Sequence, residues 1–172
     1  MKILVTGLPG VGKTTLVLKI AEKLKDLQPV GFYTEERRER GVRKGFELQS
    51  LDGRKGLLSH VDLRSRHRVG KYGVDVSGFE QFIESIPFNA PETKLIIIDE
   101  IGKMECLSSV FRELIDKILD SDKLLIATIA LKGPGFIAGI KARPDVRLFE
   151  ITEKNRNNLS AEILALFCPP QE

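Results

Sequence analysis

The chain has 172 residues, enough for one α/β domain with a real hydrophobic core and too few for two full domains. Hydrophobic residues make up 42% and charged residues 30%, a balance that excludes intrinsic disorder. A net charge of +3 is too small to imply nucleic acid as a partner by itself.

In chain order, the apolar run Lys2-Ile3-Leu4-Val5-Thr6 predicts a buried strand. Gly7-Leu8-Pro9-Gly10-Val11-Gly12-Lys13-Thr14 follows and fits the phosphate-binding pattern G-x-x-x-x-G-K-[ST]. Residues 15–24, opening at Thr15, have a helical apolar pattern, so the motif stands in the strand–loop–helix context it requires. Residues 29–34 predict a short strand and residues 35–44 a charged, solvated hairpin of mixed sign. Residues 45–51 alternate apolar and polar, Asp52-Gly53 is a turn signal, and residues 55–59 supply a partner strand. Residues 60–73 hold Arg64, Arg66, His67, Arg68 and Lys71 and read as a surface loop with a short strand. Ser77 and Glu80 have capping-box spacing, and Phe79, Phe82, Ile83 and Ile86 share the face of the helix that follows.

Lys94-Leu95-Ile96-Ile97-Ile98-Asp99 predicts a parallel strand buried on both faces and ending in an acid, lying beside the 2–6 strand. An amphipathic helix follows from Leu107 to Ile118, then a buried strand over 124–129, a short helix over 136–142, a strand over 146–151 and a last helix over 156–167. Alternating strands and helices predict an α/β fold: one domain over 1–172, a mostly parallel sheet with helices on both faces, and an added antiparallel hairpin.

The chemistry concentrates at the carboxyl ends of the predicted strands, where ligands bind such sheets. The loop glycines let backbone N–H groups converge on an anion, and the helix N-terminus adds its positive end. Gly7 through Thr15 are therefore the nucleotide-binding residues, with Lys13 reaching the β- and γ-phosphates. Thr14 and Asp99 are the expected ligands of Mg²⁺, and Glu100 the carboxylate that orients or deprotonates a water. Lys103, Glu105 and Thr128 follow the same strand ends, as functional candidates or as ordinary loop and strand residues. Lys132 and Arg143 are both candidates for a further positive charge, and the sequence does not choose between them. Asn155 and Arg156 are candidates to pack on the base, Arg156 by stacking, although Asn155 equally suits a helix cap.

These residues form a recognisable set. Gly7 to Thr15, Gly31-Phe32-Tyr33-Thr34-Glu35-Glu36, Gly45-Phe46, Val69-Gly70-Lys71-Tyr72, Ile98-Asp99-Glu100-Ile101-Gly102-Lys103-Met104-Glu105 and Thr152 to Arg156 run in order along the whole chain. Together they resemble the small P-loop nucleoside-triphosphatases first described from thermophiles, whose animal member is called cancer-related. The resemblance implies a recombinase-like core and Mg²⁺-dependent hydrolysis of several nucleoside triphosphates to diphosphates.

The expected reaction is hydrolysis of ATP, GTP and pyrimidine triphosphates with low base selectivity. A nucleotide or small-molecule kinase is the alternative, which needs an acceptor pocket between the hairpin and the 60–73 loop; a nucleic-acid-stimulated ATPase is the third reading. Cys106 and Cys168 lie in no metal-ligand spacing and read as reduced thiols. With no stretch of membrane-spanning length and no signal peptide, the expected protein is a cytoplasmic monomer without a membrane or nucleic-acid partner.

Overall fold

The continuous apolar runs become the central strands of one sheet, because a strand covered by helices on both faces needs apolar residues at every position. The computed structural model describes residues 1–167. The strands are β1 (Lys2–Thr6), β2 (Val30–Glu39), β3 (Val42–Ser50), β4 (Lys55–His60), β5 (Arg68–Val69), β6 (Tyr72–Val74), β7 (Leu95–Ile101), β8 (Leu124–Ile129) and β9 (Val146–Glu150). Their order across the sheet is β5-β6-β4-β3-β2-β7-β8-β1-β9. Every pairing from β2 through β7, β8 and β1 to β9 is parallel, and every pairing from β2 outward through β3, β4, β6 and β5 is antiparallel. The fold is thus a mixed α/β sheet with a parallel core, as the sequence predicts.

Helices α1 (Lys13–Lys23) and α5 (Leu159–Ala165) cover one face, and α2 (Val76–Glu84), α3 (Ser109–Asp120) and α4 (Phe136–Lys141) cover the other. The side chains of each central strand divide between the two cores. Ile3, Val5, Leu95, Ile97 and Ile126 pack with Leu16, Val17, Ile20 and Ile163, while Leu4, Ile96, Ile98 and Leu125 pack on the α2–α3–α4 side. That second core holds an aromatic cluster: Phe32 meets Phe79, Phe82 and Phe111 edge-on at centroid distances of 5.9, 5.8 and 6.3 Å. Within β2, Gly31 lets β2 and β7 approach closely; a Cβ there would lie 1.7 Å from the Ile97 carbonyl oxygen.

The structure corrects several sequence expectations. The 94–99 strand is not beside β1; β8 lies between them, pairing with both. The charged stretch 35–44 is the solvated hairpin expected, but the 29–34 strand is longer than expected and runs on as β2 to Glu39, since pairing with β3 satisfies its backbone while its side chains point to water. Ser77 does not cap α2. Asp75 does, its side chain accepting from the Gly78 N–H at 2.9 Å, and Glu80 instead accepts from the Ser108 hydroxyl at 2.7 Å. The last helix begins at Leu159, because residues 152–158 form hydrogen-bonded turns first. Cys106 is half-buried and its thiol is pushed up to about 12, chiefly by burial, so it is an unreactive thiol; Cys168 lies outside the described residues.

Candidate active site

The loop between β1 and α1 turns on glycine. Gly10 and Gly12 have φ of 76° and 108°, a region that side chains with a Cβ rarely enter. Gly12 stands at the N-cap of α1, so the first-turn N–H groups face outward from the helix without helical acceptors. No described residue accepts from the N–H of Gly10, Gly12 or Lys13. Leu8, Pro9 and Gly10 form the exposed apex, Val11 is buried under it, and Thr15 is exposed. Lys13 leans over the loop, donating to the carbonyl oxygens of Gly7 at 3.1 Å and Leu8 at 3.2 Å.

Thr14 links this loop to the third strand along. Its hydroxyl donates to Asp99 Oδ2 at 2.6 Å, and the Thr128 hydroxyl, from the intervening β8, donates to Asp99 Oδ1 at 2.6 Å. Thr128 thereby has a definite place: it orients Asp99. Asp99 is 2% exposed. Burial pushes its carboxyl upward, opposed by the two threonine hydrogen bonds and the Lys13 charge. The next peptide, Asp99–Glu100, is cis. Glu100 is partly buried, and burial raises its carboxyl too; Lys13 and Lys141 oppose the shift while Asp99 adds to it.

The donor set suits Mg²⁺. A hydroxyl and a carboxylate, both hard oxygen donors, meet at a helix N-terminus, and the buried carboxylate would gain from a cation beside it. Among the described residues no three His, Cys, Asp or Glu side chains gather as a metal cluster. Phosphate oxygens and water would complete the shell, as is usual for this ion.

Of the loop residues after Glu100, Lys103 is exposed and Glu105 is buried, 6% exposed. A Cβ at Gly102 would stand 2.8 Å from Glu105 Oε2 and 3.1 Å from Glu100 Oε1, so the glycine is what leaves space for two carboxyl groups. Burial pushes Glu105 up to about 8, helped by the charges of Glu100 and Asp99. Burial therefore favours its uncharged form.

Of the two candidates for the extra cation, Arg143 is turned away from the site and Lys132 lies in the loop after β8. Arg143 is held by Asp145 and Asp120, both at 2.8 Å, beside the start of β9, at the opposite end of the sheet from the loop. Lys132 is exposed. Lys141 is the cation that arrives: its ammonium donates to the Leu131 carbonyl at 2.9 Å and to Thr6 Oγ1 at 3.4 Å, at the carboxyl end of β1. Burial lowers it, opposed by the charges of Glu100 and Glu150. Nothing local to residue 141 marks this: Lys141 lies at the end of α4 and reaches back toward the helix N-terminus, the direction in which helical side chains lean.

Asn155 and Arg156 follow β9, the strand next to β1. The Asn155 amide is engaged in its own loop, accepting from the Thr152 N–H at 2.7 Å and donating to the Glu150 carbonyl at 2.8 Å. It is not the cap of α5, whose N-cap is Asn158. Arg156 is exposed at the same edge.

With this geometry in view, comparison with known proteins is specific. A family model described as NTPase matches residues 2–164. The nucleoside-triphosphatase THEP1 of Thermotoga sp. (strain RQ2) is 52% identical over 167 residues, covering 96% of this chain and 95% of that one. The human cancer-related nucleoside-triphosphatase is 40% identical over 178 residues, covering 94% of each. The crystal structure of THEP1 from Aquifex aeolicus superposes with a TM-score of 0.84 at 39% identity, over 96% of this chain and 98% of that one. The solution structure of the human protein superposes with a TM-score of 0.84 at 36% identity, over 99% of both chains.

Proposed function

The chain belongs to the NTPase family and is a nucleoside-triphosphatase, and on that premise we propose that it hydrolyses nucleoside triphosphates with Mg²⁺, with little regard for the base, using one carboxylate to handle water. The observation that carries this reading is the bond from Thr14 to Asp99, which joins the phosphate loop to the acidic strand and leaves Glu100 as the next group along.

Loop N–H groups and Lys13 bind the β- and γ-phosphates. Thr14 and Asp99 would hold Mg²⁺, which when bound would neutralise charge on those phosphates. Glu100 orients a water in line with the γ-phosphorus and takes its proton as the bond to the β–γ bridging oxygen breaks. Lys141 provides positive charge near Glu100 and the end of β1, where negative charge gathers on the transferring group. Low base selectivity follows from the shortage of base-reading groups. Asn155 is engaged in its loop, and stacking by Arg156 tolerates any base. All these groups come from one chain, so a monomer suffices.

A phosphate-release panel over ATP, GTP, CTP and UTP with Mg²⁺ tests the reading, with Lys13→Ala as the control. All four should be hydrolysed within about a hundredfold in kcat/KM, far short of the ~10⁴ that needs a matched polar pocket. Lys13→Ala should lose at least ~100-fold, the lower range for deleting a preorganised charge partner. Use of a single base, or an unimpaired Lys13→Ala, would contradict it.

A further inference from the structure

A cavity of ≈ 270 Å³ opens beside Glu100 on the side away from the phosphate loop. Its inner wall is the end of β7 and the loop after it, with Glu100, Lys103, Met104 and Glu105; its outer wall is Phe46, Leu58 and Val69, from β3, β4 and β5. Those outer strands are the antiparallel addition to the parallel core. Counting across the sheet from β7, the loop-bearing β1 is two strands away in one direction, while β2, β3 and β4 lie in the other. Glu100 therefore stands between a phosphate cradle and an apolar room. Two strands are about 10 Å across, which accommodates a phosphoryl group and an attacking oxygen between Lys13 and the cavity. Hydrolysis alone needs space for one water, a share of roughly 30 Å³.

We infer that this cavity is a second-substrate site, and that the protein transfers the γ-phosphoryl group to the hydroxyl of a small, largely apolar alcohol seated between Phe46, Leu58, Val69 and Met104. The inference rests on the nucleotide reading above and extends it. The acceptor's oxygen forms a bond to the γ-phosphorus, the bond from phosphorus to the β–γ bridging oxygen breaks, and the nucleoside diphosphate leaves with that electron pair. The hydroxyl proton passes to the Glu100 carboxylate, as it passes to a carboxylate in protein kinases. Water performs the same attack when no alcohol is present, which gives the hydrolase activity.

The walls decide the class of acceptor. The apolar outer wall favours a hydrocarbon body over a sugar. Ligand pockets usually run from about 300 Å³ upward, so this one suits a body of a single ring.

The test supplies Mg²⁺–ATP with benzyl alcohol or cyclohexylmethanol at millimolar concentration and follows products by phosphorus NMR. A phosphomonoester should accumulate beside inorganic phosphate, their sum matching the ADP formed. Val69→Trp and, separately, Met104→Trp fill the room from opposite walls, and each should lower the ratio of ester to phosphate by about tenfold or more, the scale of overpacking a fitted site. The ratio is insensitive to the fraction of folded enzyme. If ADP forms and inorganic phosphate is the only other product with both alcohols, the acceptor site is refuted and the hydrolase reading stands. If the ester forms equally well in both tryptophan variants, the cavity is not where the alcohol binds. If no ADP forms at all, both readings fall.

Discussion

At the scale of single residues, the site is a set of charges whose environments differ. Lys141 tests whether the transition state uses a cation that the P-loop pattern does not include. Lys141→Met should leave Mg²⁺–ATP affinity near wild type and slow single-turnover phosphate release by about tenfold to a hundredfold, short of the full range for one preorganised donor because Lys13 remains. Lys141→Arg should recover most of the rate; equal rates in Met and wild type would remove the residue from the chemistry. Glu105 makes a different prediction, about stability against pH. Its carboxyl is raised from 4.5 to about 8 in the fold, so the folded state holds a proton that the unfolded chain releases. The stability it contributes is complete below about 4.5 and is lost as pH rises to about 8. Glu105→Gln cannot ionise, so the fall in Tm between pH 5 and 9, measured without nucleotide, should be visibly smaller in the variant; parallel curves would show that Glu105 is charged in the fold.

At the scale of elements, the legible parts were those whose determinants are close in sequence. The loop from Gly7 to Thr14 has its glycines, lysine and threonine within one turn, and the Leu95–Asp99 run declares its own burial and its terminal acid. The illegible parts depend on what comes from elsewhere. Nothing in residues 124–129 says that β8 lies between β1 and β7, yet that placement puts Thr128 on Asp99. Arg143 and Lys141 are two residues apart and chemically alike, and only the fold sends one to paired aspartates and the other to the site. Helix α2 shows two local signals in competition: Ser77 and Glu80 have the spacing of a capping box, but Asp75 is nearer the turn and Ser108 claims Glu80. Asp75→Ala should therefore cost about 1 kcal/mol in denaturant unfolding, the usual value of a cap, and Ser77→Ala a few tenths at most. The reverse order would restore Ser77 as the cap.

At the scale of the whole molecule, one sheet separates binding from chemistry. On the proposed reading the β1 end and α1 hold phosphate, and the β7 end, two strands away, carries the carboxylate; β8 supplies the threonine that donates to Asp99 beside Thr14. The outer antiparallel strands β3, β4 and β5 carry the far wall of the cavity across from Glu100, and Phe32 of the neighbouring β2 packs onto Phe79, Phe82 and Phe111. No helix among the described residues is long and apolar enough to cross a membrane. That division of labour is the central claim, and Glu100→Gln tests it most directly. The amide keeps the size and hydrogen-bonding reach of the carboxylate and removes its basicity, while Lys13, Thr14, Asp99 and the loop N–H groups remain. A binding titration with Mg²⁺–ATP and single-turnover phosphate release on the same preparation should show near-wild-type affinity and a rate lower by ~10²–10⁴, toward the low end if the transition state is loose. Release within a factor of a few of wild type, with binding unchanged, would contradict the account and take Glu100 out of the catalytic role.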